Sequence, residues 1–246
     1  EEGVGRGGAR RGGTLNGLGS VAEADPTGGR TICASRRNRT MGEHLYTYVD
    51  PPNARHLDQI VDVLRNHGVI AVPTGLNWAF AADPTSKKAS TRIRQLKPAH
   101  PKDQPFSLLC KDISMATSMT TIDGGAFRML NRVWPGAFTV LLKSNRKLPR
   151  LLKTKREVVG VRIPDDPLTL AIVDHFGGPL MVSTVPRDAD GQHLRMGYQV
   201  HESHGHGLEL VVDLGDELPG TQTTVVDLTG GVPEIVREGA GDVGLL

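Results

Sequence analysis

One basic residue stands in an otherwise apolar stretch of the sequence. Residues 158–163 read VVGVRI, so Arg162 is the single charge in a segment with the composition of a buried strand. A guanidinium is planar and can bind a carboxylate or a phosphate through two hydrogen bonds. Because buried charges are normally paired, a structural aspartate is the alternative partner. We therefore expect Arg162 to bind either an anionic ligand or a structural carboxylate.

A second candidate site follows the apolar run at residues 69–72. This run predicts a buried strand, which Pro73 ends because proline has no backbone donor. Thr74 then offers a hydroxyl group, and Trp78 an aromatic side chain, in a turn-prone segment. Open α/β sheets bind ligands at strand ends, so the segment predicts a pocket, although an ordinary strand and turn would look the same. Thr74 would bind substrate or cap the turn.

Residues 143–156 form a basic segment, with seven Lys and Arg residues and no acidic residue. Together with basic residues of a predicted helix and Lys102, this segment suits the phosphates of double-stranded RNA or transfer RNA, which proteins recognise by shape and charge. A solvated loop without a partner is the alternative. The candidate RNA-binding residues are Arg92, Arg94, Lys143, Arg146, Lys147 and Arg150.

Three histidines, His201, His204 and His206, have a loose metal-like spacing. No cysteine or convergent carboxylate accompanies them, so a polar loop is favoured and no metal site is predicted.

The composition predicts one globular domain after a disordered leader. Of 246 residues, 38% are hydrophobic and 23% charged, and the net charge is +2. Residues 1–40 are rich in Gly and Arg and have few apolar residues, which predicts disorder, and residues 41–246 would form the domain. No apolar run is long enough to span a membrane, and two cysteines indicate a reducing, cytoplasmic environment.

Elements that position these residues follow from the periodicity. Leu57, Ile60, Val61 and Leu64 form one helical stripe. Further helices are predicted over 83–96, from Asp112, from Asp123 and over 164–175, with a polar loop over 185–207. The predicted strands are 69–73, 106–110, 137–142, 158–163, 179–184, 209–213, 223–228 and 234–236. Helices and strands alternate early and strands cluster late, which favours a mixed sheet covered by helices.

Several motifs in this order resemble the YrdC-like family, whose members include threonylcarbamoyl-AMP synthases. Residues 73–80 (PTGLNWAF) resemble the family's PT(E/D)T-x-YGL, and residues 97–105 its KxRP-x-x-KP segment. Residues 134–139 resemble WPGPxT, and residues 159–164 resemble V-x-VRxP. Residues 179–184 resemble PLxxTS, and residues 223–227 with 237–239 resemble STVVD and REG. The RIRQL of residues 92–96 and the WAF of residues 78–80 are similar to the YciO-like branch.

The resemblance implies an α+β, three-layer YrdC/RibB-like fold with a twisted mixed sheet flanked by helices. It also implies formation of threonylcarbamoyl-AMP from threonine, bicarbonate and ATP, with Mg²⁺, for transfer RNA modification. Catalytic positions would be Lys97, Arg162 and Thr184. Substrate would contact Thr74, Trp78 and His100. The nucleotide would contact Lys97, Arg162, Thr184, Thr224 and Arg237.

Four positions depart from the family pattern. Gly75 replaces an acidic residue, and Trp78 replaces a tyrosine and lacks its hydroxyl. His100 stands one residue late for the arginine of Lys-x-Arg, and Pro186 replaces an asparagine. Each change removes a charge or a hydrogen-bonding group. The alternative expectation is therefore a YciO-like protein that binds double-stranded RNA or nucleotide with little or no synthase activity.

Overall fold

The computed structural model describes residues 40–98 and 105–246. The predicted leader, apart from residue 40, lies outside the described residues, as do His100 and Lys102. The described residues belong to one unit that spans Arg39–Leu246.

One mixed sheet contains the strands of the described chain. The order of adjacent strands across the sheet is β1-β9-β2-β3-β8-β4-β7-β6-β10-β11, and β5 pairs with β6 outside this order. The β1/β9, β2/β9, β4/β7 and β6/β10 pairs are parallel, and the other pairs are antiparallel, which confirms the predicted mixed sheet. The strands are β1 Glu43–Tyr46, β2 Ile70–Pro73, β3 Trp78–Ala82, β4 Ser107–Leu109, β5 Thr120–Thr121, β6 Phe138–Ser144, β7 Val158–Arg162, β8 Leu180–Thr184, β9 Leu210–Asp213, β10 Thr224–Asp227 and β11 Glu234–Arg237.

The helices begin at residues that cap them. The side chains of Asn53, Ser86, Asp112, Asp123 and Asp166 each accept a hydrogen bond from the backbone N–H three residues later, which satisfies a donor left free at a helix start. The predicted helix starts at Asp112 and Asp123 are confirmed. The helices are α1 Ala54–Arg65, α2 Lys87–Leu96, α3 Ile113–Thr117, α4 Gly124–Val133, α5 Pro167–Phe176 and α6 Gly197–His204.

Apolar clusters lie on both faces of the sheet. Because successive strand residues point to opposite faces, Ile70 and Val72 pack with α1 and α5, whereas Val69 and Ala71 pack in the cluster that contains residues of α2 and α4. We call the first side the α1/α5 face. Polar residues replace apolar ones on this face farther along the sheet, and there the candidate site lies.

Four elements were not predicted from the sequence: β1, β3, the two-residue β5 and α6. The run of residues 78–82 is buried throughout, so it lacks the alternation that marks a strand with one exposed face, and its alanines are poor strand formers. Helix α6 lies within the region predicted as a polar loop. It buries only Gly197 and Val200, so its sequence carries almost no apolar stripe.

Candidate functional site

A small polar cavity lies on the α1/α5 face, at the ends of several strands. Its volume is about 80 Å³, and most of its polar side chains carry hydroxyl groups, so we call it the hydroxyl cavity. Strands β3, β4, β6, β7 and β8 contribute to it, together with the turn between β2 and β3. The lining residues are Thr74, Asn77, Ala79, Ser107, Leu109, Thr139, Arg162, Val182, Ser183, Thr184 and Thr223.

Arg162 provides the positive charge of the hydroxyl cavity. Only 8% of this residue is exposed, and its Nε has no hydrogen-bond partner among the described residues. Burial lowers the pKa of its guanidinium to about 10, and the charge of Asp166 partly opposes this shift. Within the described chain no carboxylate forms an ion pair with Arg162, so the site has a buried positive charge that an anion would neutralise.

Thr74 both closes the turn and orients the arginine. Its Oγ1 donates to the backbone oxygen of Asn77 at 2.8 Å. Arg162 Nη1 donates to Thr74 Oγ1 at 2.8 Å, and Nη2 donates to the Thr74 carbonyl oxygen at 2.7 Å. Thr74 therefore caps the turn and also lines the cavity, and its contact with substrate stays a prediction.

A second group of polar contacts forms the wall at β6 and β10. The hydroxyl groups of Thr139 and Thr223 are hydrogen-bonded at 2.8 Å. Arg237 Nη2 donates to the Thr223 carbonyl oxygen at 2.9 Å, which places this exposed arginine beside the cavity wall. Burial lowers the pKa of Arg237. A second cation therefore lies next to a residue that lines the hydroxyl cavity.

Lys97 directly follows α2, and its ammonium group lies at the end of β8. Lys97 does not line the cavity itself. Its Nζ donates to Ser183 Oγ at 2.7 Å and to the Thr184 carbonyl oxygen at 2.8 Å. Burial lowers the pKa of this lysine to about 8. Thr184 is exposed and lines the cavity. The ammonium group of Lys97, which binds the Thr184 carbonyl oxygen, therefore lies beside a residue at the opening.

Two residues expected at the site face away from it. Trp78 is 1% exposed in the core on the opposite face, and its Nε1 donates to the Arg195 carbonyl oxygen; Ala79, the next residue, lines the cavity. Thr224 is completely buried, and its hydroxyl binds the backbone of Gly239 and Gly241. Strand alternation explains both corrections, because each expected residue is one position from the residue that faces the cavity.

The sequence did not single out several of the polar lining residues. A polar residue between two apolar residues of a strand was the available signal. Thr139 lies between Phe138 and Val140 in this way, as Arg162 lies between its apolar neighbours. The polar lining residues that were missed are Asn77, Ser107, Thr139, Ser183 and Thr223.

The candidate RNA-binding residues are divided by the structure. Arg92 is 8% exposed and forms an ion pair with Glu209, so it cannot contribute to a basic surface, which corrects its assignment. Arg94 is exposed and lies over the Phe106 ring, 4.7 Å from its centroid. Four further candidates are exposed and form no ion pair with any described residue: Lys143, Arg146, Lys147 and Arg150.

A larger groove of about 750 Å³ adjoins the hydroxyl cavity. Arg94, Lys153, Lys155 and Arg156 line it around an apolar floor. Gly160 lies at the boundary, because a Cβ atom there would be 2.8 Å from Ser107 Oγ, a cavity residue. The groove that these basic residues line thus reaches, at Gly160, a neighbour of the hydroxyl cavity.

The described residues contain no cluster of His, Cys, Asp or Glu suited to a metal ion. His201 binds the Gly42 carbonyl oxygen, and His204 packs edge-on against Phe80. In the same part of the chain, no helix has both the length and the apolar character needed to cross a bilayer.

A match to a family model identifies the family of this chain. The model of the Sua5/YciO/YrdC family, described as telomere recombination, matches residues 62–239. The chain belongs to this family. The match includes the cavity-lining residues and the basic segment, and it confirms the resemblance inferred from the motifs.

Individual relatives refine this assignment. The uncharacterized protein YciO of Escherichia coli is 33% identical over 211 residues, which cover 82% of this chain and 98% of YciO. A crystal structure of E. coli YciO superposes with a TM-score of 0.77 at 30% identity and covers 83% of this chain and 99% of that one. These values support the inferred similarity to the YciO-like branch.

The family also includes synthases. A threonylcarbamoyl-AMP synthase of Bacillus subtilis is 27% identical over 190 residues, which cover 76% of this chain and 54% of the synthase, so the chain spans about half its length. The structure of Pyrococcus abyssi Sua5 complexed with L-threonine has the same fold, with a TM-score of 0.71 at 21% identity, and covers 81% of this chain and 58% of that one.

Proposed function

We propose that this protein binds ATP and forms threonylcarbamoyl-AMP from ATP, threonine and bicarbonate. The observation that supports this proposal is the buried guanidinium of Arg162, which no described carboxylate neutralises by contact and which lies among hydroxyl groups. Such a site favours small anions over neutral ligands. The name of the B. subtilis synthase supplies the product, threonylcarbamoyl-AMP, and the P. abyssi Sua5 structure was solved with L-threonine. ATP and bicarbonate are the co-substrates that the family resemblance implies.

The reaction requires fixed positive charge more than acid or base catalysis. The amine of threonine attacks the carbon of bicarbonate and water leaves, which gives a carbamate. A carbamate oxygen then attacks the α-phosphorus of ATP while the bond to pyrophosphate breaks. In our proposal Arg162 holds the carboxylate of threonine, and Lys97 and Arg237 hold phosphate groups at the opening. Thr184 and Thr223 donate or accept hydrogen bonds inside the hydroxyl cavity. Charge that develops on the leaving pyrophosphate would be stabilised by the two cations at the opening.

Magnesium would enter as part of the nucleotide. No carboxylate lines the hydroxyl cavity, so its residues offer Mg²⁺ only hydroxyl and amide oxygens. Mg²⁺ bound to the triphosphate of ATP fits this donor set, because the phosphates supply its charged ligands.

A pyrophosphate-release assay tests the proposed reaction. We expect release from ATP to require both threonine and bicarbonate and to yield threonylcarbamoyl-AMP by mass spectrometry. Arg162→Met, which removes the charge and keeps an unbranched side chain, should abolish pyrophosphate release, because the variant no longer holds the carboxylate of threonine. ATP consumption that ignores threonine and bicarbonate would contradict the proposal.

A second candidate function is binding of double-stranded or transfer RNA with little or no synthase activity. The exposed residues Lys143, Arg146, Lys147 and Arg150, which form no ion pair with a described residue, favour it, as do the basic residues that line the groove. Gly75 also favours it, since an acidic side chain there would have its Cβ 3.2 Å from the Asp165 carbonyl oxygen in a left-handed backbone conformation. RNA affinity that falls steeply with salt, in a protein without threonine-dependent ATP use, would support this function instead.

A further inference from the structure

The loop after β8 carries basic side chains next to the opening of the hydroxyl cavity. Arg187 and His193 lie on this loop, and Arg187 Nη1 donates to the Gly191 carbonyl oxygen at 3.2 Å. His193 Nε2 lies 3.5 Å from Nε2 of Gln222, the residue that precedes the cavity residue Thr223. Arg237 approaches Thr223 from β11. His193 and Arg237 therefore lie beside one wall of the cavity, and Arg187 is close enough to His193 to lower its pKa.

The two arginine charges near His193 both lower its pKa. Burial lowers the pKa of His193, and the charges of Arg187 and Arg237 lower it further. The nearby Arg195 is paired with Glu217 at 3.0 Å. On the loop itself, the Asp188 carboxylate accepts hydrogen bonds from the backbone N–H groups of Asp190 and Gln192.

Neither Arg187 nor Arg237 forms an ion pair with a carboxylate of the described residues. Two guanidinium groups that lie near one imidazole, and that form no ion pair with a described carboxylate, create a positive potential that attracts an anion. The observation points to a ligand with more than one negative charge.

We propose that Arg187, His193 and Arg237 bind the terminal phosphates of the nucleotide beside the opening of the hydroxyl cavity, with His193 carrying a proton in the complex. The identity of the anion rests on the proposed function, whereas the presence of an anion site rests on the two arginines that lie near His193. Pro186, the second residue of the same loop, has no backbone donor for a phosphate. Arg187 and His193 supply donors just beyond that proline.

This site makes nucleotide binding depend on pH. A bound phosphate opposes the charge of Arg187 and Arg237, so the pKa of His193 is higher in the complex than in the free protein. Between these two pKa values, binding takes up a proton. The contribution of His193 to affinity therefore increases as the pH falls through this range.

Isothermal titration of MgATP and of magnesium pyrophosphate into the full chain tests the site. Measurements near neutral pH in two buffers of different ionisation enthalpy give the number of protons taken up. His193→Gln should lose this uptake and bind both ligands about tenfold more weakly, and Arg187→Gln should also bind about tenfold more weakly. The control is His175→Gln on α5, whose imidazole pairs with Asp58. It should match the parent, and any uptake by the ligand itself is common to all variants.

Two results would overturn the inference, and they are distinguishable. If His193→Gln and Arg187→Gln match the parent in affinity and proton uptake while the parent binds ATP, the loop site is absent and the proposed function stands. If the parent binds neither ATP nor pyrophosphate, both this inference and the proposed function fail.

Discussion

Arg162 donates two hydrogen bonds to a single residue, Thr74, although the two are separated by 88 positions in the sequence. Thr74 lies in the turn between β2 and β3, and Arg162 is the last residue of β7. The turn therefore holds the guanidinium in place at the strand ends before any ligand is present. A charge fixed in this way stabilises a bound anion without a further cost of reorganisation.

The first prediction concerns the balance between stability and binding at Arg162. Arg162→Met should change the free energy of unfolding by only about 1–2 kcal/mol, because relief from burying a charge offsets the lost bonds to Thr74. Threonine should no longer raise the melting temperature, since its carboxylate has lost the guanidinium, whereas ATP, held by Lys97 and Arg237, should still raise it. Thermal unfolding with and without ligand measures both effects.

Thr74→Val provides the matched test of orientation. It keeps the charge of Arg162 and removes the hydroxyl that accepts from Nη1. Ligand affinity should fall by about 1–2 kcal/mol, less than in Arg162→Met. If threonine raises the melting temperature of Arg162→Met as much as that of the parent, Arg162 does not bind threonine.

The second prediction separates two adjacent threonines. Thr224→Val should destabilise the protein by about 2–4 kcal/mol, because it leaves the N–H groups of Gly239 and Gly241 without their acceptor. Thr223→Val should cost less than about 1.5 kcal/mol in stability but weaken ligand binding, since its hydroxyl lines the cavity. Urea unfolding and ligand titration of the two variants measure this difference. The reverse pattern would mean that Thr224 is the residue that contacts the ligand.

The sequence predicted the fold better than it predicted the site. The apolar stripe of α1 and the capping aspartates of α3 and α4 are local signals, and the structure confirms them. Which residue of a strand faces a cavity depends on the register between strands, and register is set by pairing across distant segments. Trp78 and Thr224 were therefore each placed one residue from Ala79 and Thr223, the positions that line the cavity.

Arg162 was identifiable because a single charge in an apolar strand contradicts its local pattern. Its bond to Thr74 was not, since that contact joins β7 to a turn across the sheet. For the same reason, the burial of Arg92 against Glu209 could not be inferred from a helix whose exposed face is basic.

The third prediction tests whether the basic segment binds RNA. Replacing Arg146, Lys147 and Arg150 with Gln should leave the melting temperature nearly unchanged, because these side chains are exposed. If the basic segment binds RNA, the slope of log affinity against log salt should decrease by about 2–3, at about 0.9 for each phosphate contact. Filter binding with a double-stranded RNA at several salt concentrations gives this slope.

Arg92→Met is the control for that experiment. It should lower stability by about 1–2 kcal/mol by breaking the ion pair with Glu209, and leave the salt slope unchanged. If the triple variant retains the parent's slope, the basic segment does not contact RNA.

The fourth prediction follows from the pKa of Lys97. Burial lowers this pKa from 10.5 to about 8, so the free protein loses the ammonium charge as the pH rises through about 8. Since phosphate binding requires that charge, ATP affinity should decrease above this pH. A bound phosphate raises the pKa again, so the decrease in the complex should occur at higher pH. Titration of ATP between neutral and alkaline pH measures the profile.

Lys97→Arg separates charge from position. The guanidinium stays protonated over the whole range, so the variant's ATP affinity should be independent of pH where the parent's declines. Lys97→Met should bind weakly at every pH. The depressed pKa also means that, with pH rising from about 8 to 10.5, Lys97 makes a growing contribution to stability, since the unfolded chain then holds the proton that the folded chain has released. A parent profile as flat as that of Lys97→Arg would place Lys97 outside the nucleotide site.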